Sequence, residues 1–244
     1  AQMGQGYRFD GTALLRFALI RLGPEHHWLA TQAHHLILDG WGFGQMLKAL
    51  GEHYTALLEG GEAPRAQAGY ADFIDEDRQY QGSIRQARDR AYWLKRFASV
   101  PEPLLAARHP YRRATDEAPS RTWVQAFPDA LHERMKRLAE AHQASAFHVL
   151  LAALHVLFSR SAQREDWVVG LPLLNRGGAR FKATLGTFVQ VSAVPLAFSP
   201  ALGFAELVVA IRDTLRRDFR HQRLAVSELN RALGLLREER GQLF

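Results

Sequence analysis

The feature that most constrains this chain is a change of residue pattern at Asp39-Gly40. Ahead of it, "HHWLATQAHHLIL" (26–38) has the apolar, β-branched and aromatic make-up of a strand. Behind it, "GFGQMLKALGEHYTALLEGG" places Met46, Leu47, Leu50, Tyr54, Leu57 and Leu58 at helical spacing and stops at a glycine pair. A strand that runs through a tight turn into a helix puts the residues of that turn where such folds expose functional side chains. Those residues include two adjacent histidines, His34 and His35, and an Asp-Gly pair.

The same texture continues along the chain. "TALLRFALIRL" (12–22) reads as a strand joined to the next through Gly23-Pro24, so the first element is a hairpin. Helices are expected at 70–80, 84–99, 129–142, 145–160 and 202–219, and strands at "RTWVQAFP" (121–128), "DWVVGLPL" (166–173) and "FVQVSAVPL" (188–196). The helix at 145–160 is apolar almost throughout and is expected to be buried. The stretch 101–120, rich in Pro, Ala and charge, reads as a connection between two lobes, 1–105 and 106–244. The fold class is α/β with mixed sheets.

Composition narrows the chemistry. The 244 residues include no cysteine, which excludes disulfides, thiolate metal sites and a thiol nucleophile; any sulfur has to arrive on a partner. The net charge of +6 is spread over helices such as "RQARDRAYWLKRF" with acids interleaved, which favours an acidic protein partner over nucleic acid. No run approaches the roughly 18 apolar residues of a membrane span, and the first residues carry no secretory pattern, so the expected location is the cytoplasm.

Side chains alternate along a strand, so His34 and His35 on a strand would face opposite ways, and neither they nor His26 and His27 supply a metal ligand set. No metal is expected. A neutral imidazole at the end of a strand suits proton transfer to or from an amine or hydroxyl. A Ser-His-Asp triad is not indicated, because Ser145 and Ser192 fall in segments that read as a helix start and a strand.

"HHLILDGWG" resembles the His-His-x-x-x-Asp-Gly motif of nonribosomal peptide synthetase condensation domains. Further elements follow in the family's order: "YADF" (70–73), "YWLKRF" (92–97), "VVGLPLLNRG" with "LGTFVQVSAVPL", and "RHQRLAVSEL". The resemblance spans about residues 10 to 235. It implies a chloramphenicol-acetyltransferase-like fold, two lobes in a V with a central tunnel, and catalysis of amide formation between two substrates carried as thioesters on phosphopantetheine arms. The arms belong to donor and acceptor carrier domains beside an adenylation domain, and the domain itself binds no cofactor.

On this resemblance His35 is the catalytic histidine and His34 packs the strand. Asp39 is a structural carboxylate paired with Arg176, which is expected to bridge the lobes in bidentate fashion. Gly40 permits the turn and leaves room for the acceptor arm, and Trp41, Gly186, Phe188 and Gln190 line the tunnel. The chain departs from the family at Gly42, where Ser is common, and at Gln190, where Asn is usual. "HQRLAVSEL", with Arg223, is more similar to siderophore synthetases that accept an aryl or other non-amino-acyl starter. The family's first and last elements are not found, so the chain reads as the middle of such a domain, and its N-terminal lobe is expected to expose sheet edge and apolar surface. Other readings are an acyltransferase of the same superfold using coenzyme A or a carrier, an epimerising relative, and a non-catalytic module that only recruits carriers.

Overall fold

The computed structural model describes residues 2–62, 68–104, 121–235 and 243–244. Most of the expected connection at 101–120 lies outside the described residues. Contacts divide the chain into two compact units, Ala1–Ser83 with Pro172–Gln190, and Ile84–Leu171 with Val191–Phe244. This division differs from lobes split at residue 105: the first unit ends at Ser83 and takes in a later segment, while the helix from Ile84 belongs with the second.

In the first unit, β1 (Leu15–Arg21) pairs antiparallel with β2 (His27–Ala33) in the register Leu15↔Ala33 to Arg21↔His27. The hairpin closes through His26, whose carbonyl accepts from the Leu22 and Gly23 amides. α1 (Gly40–Glu59) starts at Asp39, whose carboxylate accepts from the Gly42 amide at 2.6 Å, and ends at Gly60 in the left-handed conformation. α2 (Tyr70–Tyr80) follows. Little of the apolar surface of β1, β2 and α1 is covered. Of the α1 positions read as an apolar face only Met46 is buried, and Leu57 and Leu58 are 80% and 71% exposed. Leu19 and Trp28 on the hairpin are also open, at 73% and 59%, as expected for a two-stranded sheet that nothing among the described residues covers there.

The second unit holds the main core. α3 (Ile84–Arg96), α4 (Asp129–Ala141), α5 (Ala146–Ala162), α6 (Phe204–Asp218) and α7 (Val226–Ala232) surround a second two-stranded sheet of β3 (Asp166–Leu173) and β4 (Gln190–Ala197), whose first strand ends and second begins in the first unit's segment. Trp93, Phe97, Trp167, Val194 and Ile211 meet in this core. β4 is buried on both faces from Ser192 to Leu196, which accounts for its continuous apolar run.

Two expectations fail here. Residues 121–128 form no strand, and Trp123 and Val124 are largely exposed. β propensity describes a side chain that fits a pleated surface, and no neighbouring strand among the described residues provides one. α5 is not buried all round: Val149, Leu151, Ala152 and His155 face the core, whereas Phe147, Leu150, Leu154 and Leu157 face outward.

The tyrosine-tryptophan helix and the His-Gln segment meet in this unit. Trp93 Nε1 donates to the His221 carbonyl at 2.8 Å, and the Tyr92 ring stacks on the His221 imidazole at 3.9 Å. The Tyr92 hydroxyl donates to Asp218, which also pairs with Arg96, and His221 Nδ1 lies 2.8 Å from the buried Asp89 carboxylate. Burial and the Asp218 carboxylate push the Tyr92 hydroxyl up to about 12, so it stays a donor. α3 is thereby bolted to the corner after α6.

Candidate active site

The remaining motifs converge in the first unit around Asp39. β2 ends at Ala33, so neither histidine is on the strand, and the turn after it separates them. His34 is half-buried. Its ring stands edge-on to Tyr7 and Phe9 at 5.4 and 5.1 Å, and its Nδ1 accepts from the Leu36 amide at 3.0 Å. It therefore packs the N-terminal segment and caps the turn; its part is structural, though its neighbours are not those of a strand. His35 is exposed, and its backbone is tied down by Thr187, whose Oγ1 donates to the His35 carbonyl at 2.9 Å. Among the described residues its imidazole has no hydrogen-bond partner.

Asp39 is 3% exposed and divides its two oxygens. Oδ1 accepts from the Gly42 amide and from Arg176 Nη2 at 2.9 Å; Oδ2 accepts from the Phe188 and Val189 amides at 2.8 and 3.1 Å. The expected partner is thus correct and the expected geometry is not. The pair meets through one nitrogen and one oxygen, because the second oxygen is taken by backbone, and both residues belong to the same compact unit. Burial pushes the Asp39 carboxyl up, but the amides of Gly42 and Phe188 and the hydrogen bond and charge of Arg176 outweigh it, holding the group below its ordinary value of 3.8.

Arg176 organises the segment that follows it. Nη1 donates to the carbonyls of Phe181 and Thr184 at 3.0 and 2.5 Å, Nη2 also reaches the Gly186 carbonyl at 3.3 Å, and the guanidinium sits 4.0 Å from the Phe188 ring centroid. This fan of planar donors, with a cation over an aromatic face, is chemistry that a lysine does not reproduce. Residues 181–188 are wrapped around one buried cation, and the end of that segment presents the Phe188 and Val189 amides to Asp39.

The "YADF" element supplies the wall behind this segment. Tyr70, Phe73, Phe181 and Phe188 form an aromatic cluster, and the Tyr70 hydroxyl donates to the Thr187 carbonyl at 2.6 Å. Burial, with the Asp39 and Asp77 charges, raises the Tyr70 pKa and keeps it a donor. Gly186, at φ 154°, lies so close that a Cβ there would be 2.2 Å from Tyr70 Cδ2. Phe188 and Gly186 are therefore buried parts of this packing and not the open lining expected of them.

The remaining positions are open to a ligand in different degrees. Trp41 is 41% exposed with its Nε1 fixed to the Lys182 carbonyl at 2.8 Å, and Gln190 is half-buried at the start of β4. Gly40 occupies the first turn of α1, where an added methyl would meet nothing within 4 Å and φ is not positive, so the turn itself does not demand glycine. Gly42 is the confined one: a Cβ there would lie 2.9 Å from the Gly186 carbonyl and from Leu38 Cδ1. Tyr70 and Thr187 are members of this site, each holding a backbone carbonyl, that sequence reasoning misses. Their signal, a hydroxyl in each of two motifs far apart in the chain, acquires meaning only once backbone carbonyls are in place.

The condensation-domain family model matches residues 1–244. The chain belongs to that family. It is 31% identical over 241 residues, 98% of its length, to tyrocidine synthase 3 of Brevibacillus parabrevis, and 29% identical over 226 residues, 92% of its length, to a dimodular nonribosomal peptide synthase of Bacillus subtilis (strain 168); it spans 4% and 9% of those proteins. It superposes on the first condensation domain of the calcium-dependent antibiotic synthetase with a TM-score of 0.72 at 28% identity, covering 90% of this chain and 49% of that one. VibH, a nonribosomal peptide synthetase condensation enzyme, shares the fold with a TM-score of 0.79 at 21% identity, over 94% of this chain and 53% of its own. The condensation-domain chain thus spans about half the length of these solved relatives. No single helix among the described residues is long and apolar enough to cross a membrane.

Proposed function

We propose that this chain carries the histidine loop of a peptide-bond-forming condensation domain within a nonribosomal peptide synthetase. The observation that supports it most is the division of labour in the loop: His34 and Asp39 are engaged in structure, while the His35 ring is exposed and its carbonyl is held by Thr187. That is the arrangement a proton-handling or positioning group needs, since the loop's geometry is set before substrate arrives.

In this reading the acceptor amine, on one phosphopantetheine arm, attacks the acyl carbonyl of a thioester on another. The C–N bond forms, the C–S bond breaks, the donor carrier's thiol is released, and the amine gives up one proton. His35 accepts that proton or holds the amine in line. Trp41 and Gln190 flank the approach, and the open space beside Gly40 admits the acceptor arm. The arms come from carrier domains working with an adenylation domain, the chain supplies no cofactor, and the reaction takes place in the cytoplasm. The "HQRLAVSEL" segment with Arg223 favours an aryl or other non-amino-acyl donor, as in siderophore synthetases.

The test mixes donor- and acceptor-loaded carriers with the full polypeptide that carries this chain and follows products by mass spectrometry. Amide that depends on His35 supports the reading. Ester, epimer, or no product from folded protein would overturn it.

A further inference from the structure

We propose that Thr187 is a positioning residue for His35, acting through the His35 backbone and not on substrate. The inference rests on the condensation reading above and adds to it what sets the histidine in place.

The His35 ring is exposed and, among the described residues, no side-chain bond orients it. Where the imidazole points therefore follows from where the backbone sets its Cα–Cβ bond. Four consecutive residues of one segment run along this loop. The Gly186 carbonyl accepts from the Asp39 amide at 3.4 Å, Thr187 Oγ1 donates to the His35 carbonyl at 2.9 Å, and the Phe188 and Val189 amides donate to the Asp39 carboxylate at 2.8 and 3.1 Å. The bonds from Gly186, Phe188 and Val189 use backbone atoms and end on Asp39. The Thr187 bond is the one of this set that reaches His35, and it is made by a side chain that a substitution can remove.

Local structure aims that side chain. Exposed and buried residues alternate along 185–189: Leu185 and Val189 are open, while Gly186 and Phe188 are buried beside Tyr70. Position 187 thus faces the same way as 185 and 189. Its backbone is itself pinned, because the Tyr70 hydroxyl donates to the Thr187 carbonyl at 2.6 Å. The β-branch of threonine restricts χ1 further, so the hydroxyl is held and not searching. A fixed donor on the carbonyl of a reacting residue matters for rate, since a displacement of about 1 Å costs on the order of 10²-fold. It matters little for folding. The bond is exposed, so water takes over the His35 carbonyl when the hydroxyl is removed.

The test uses the full polypeptide that carries this chain, with Thr187→Val, which keeps the shape and removes the donor, and Thr187→Ser, which keeps the donor. Thr187→Val is also made in a His35→Ala background. Single-turnover amide formation at saturating loaded carriers is measured beside thermal midpoints. The expected result is a rate lowered roughly 10- to 100-fold in Thr187→Val at an unchanged midpoint, and recovery of most of that loss in Thr187→Ser. In the His35→Ala background Thr187→Val is expected to add about twofold or less, because no ring is left to position. An unchanged rate in Thr187→Val, a loss that follows the midpoint, or no recovery with serine would overturn the inference. So would the same fold-loss with and without the His35 ring, which would mean that the hydroxyl meets substrate directly. Wild-type protein that makes no amide, or makes it without need of His35, overturns the condensation reading and this inference with it; amide that needs His35 but not Thr187 overturns this inference alone.

Discussion

Asp39 and Arg176, 137 residues apart in sequence, meet at 2.9 Å with side chains 3% and 4% exposed, and the pair ties the Asp39 end of the histidine loop to the segment that follows Arg176. Removing either partner leaves the other charged and buried. Asp39→Ala is expected to cost about 3–5 kcal/mol and to appear first as loss of folded protein in urea denaturation. Arg176→Lys is expected to destabilise as well, since one ammonium does not serve the carbonyls of Phe181, Thr184 and Gly186 together. An Asp39→Ala protein of unchanged stability would show that the loop is held by something else.

The glycines of the loop should rank by their surroundings. Gly186→Ala faces both a positive φ and the Tyr70 ring, and Gly42→Ser faces a backbone carbonyl, whereas Gly40→Ala meets open space. The expected order of destabilisation is Gly186→Ala, then Gly42→Ser at about 1–3 kcal/mol, then Gly40→Ala near zero. In a double-mutant cycle Tyr70→Ala should relieve part of the Gly186→Ala cost; simple additivity would contradict the contact.

What the sequence revealed and what it hid follow from where the information resides. α2 and β3 match the expected residues at both ends because turn residues and apolar spacing are local. The Asp39–Arg176 pair came from resemblance, since no local pattern joins residues that far apart. The cage of carbonyls around Arg176 was not legible: its acceptors are backbone atoms, which every residue carries. The strand expected at 121–128 and the burial expected of α5 failed for one reason. An apolar pattern marks a surface suited to contact and does not say which neighbour supplies it, and among the described residues neither 121–128 nor the outer face of α5 is covered by one.

Stability should fall with acid first through histidines whose pKa burial lowers, His155 and His148, and then through carboxylates, Asp39 among them. Burial pushes the His155 pKa down from 6.5, so the folded state favours neutral imidazole while the unfolded chain takes up a proton. Its contribution is fully present above pH 6.5 and is lost as pH falls below it. Trp167 Nε1 donates to His155 Nδ1 at 3.0 Å, so tryptophan fluorescence should report the His155 part of this step, and His155→Gln should remove that part while the part due to His148 stays.

The Asp39 carboxyl, held below 3.8, gives stability that is complete above that value and lost as pH falls beneath it. Denaturation midpoints measured across this range should drop in the wild type. They should drop less in Asp39→Asn, which is already less stable and keeps only the contribution of other carboxylates such as Asp213. A wild-type midpoint unchanged below pH 3.8 would show that the carboxylate does not carry the loop.

At the centre of the proposed function, position 35 acts on substrate and does nothing for the fold. Single-turnover amide formation between loaded carriers, measured for wild type and His35→Ala beside their thermal midpoints, tests this most directly. The predicted result is a rate lower by about 10²–10⁴-fold with stability within about 0.5 kcal/mol of wild type. An unchanged rate, or a loss that tracks loss of folded protein, would contradict it.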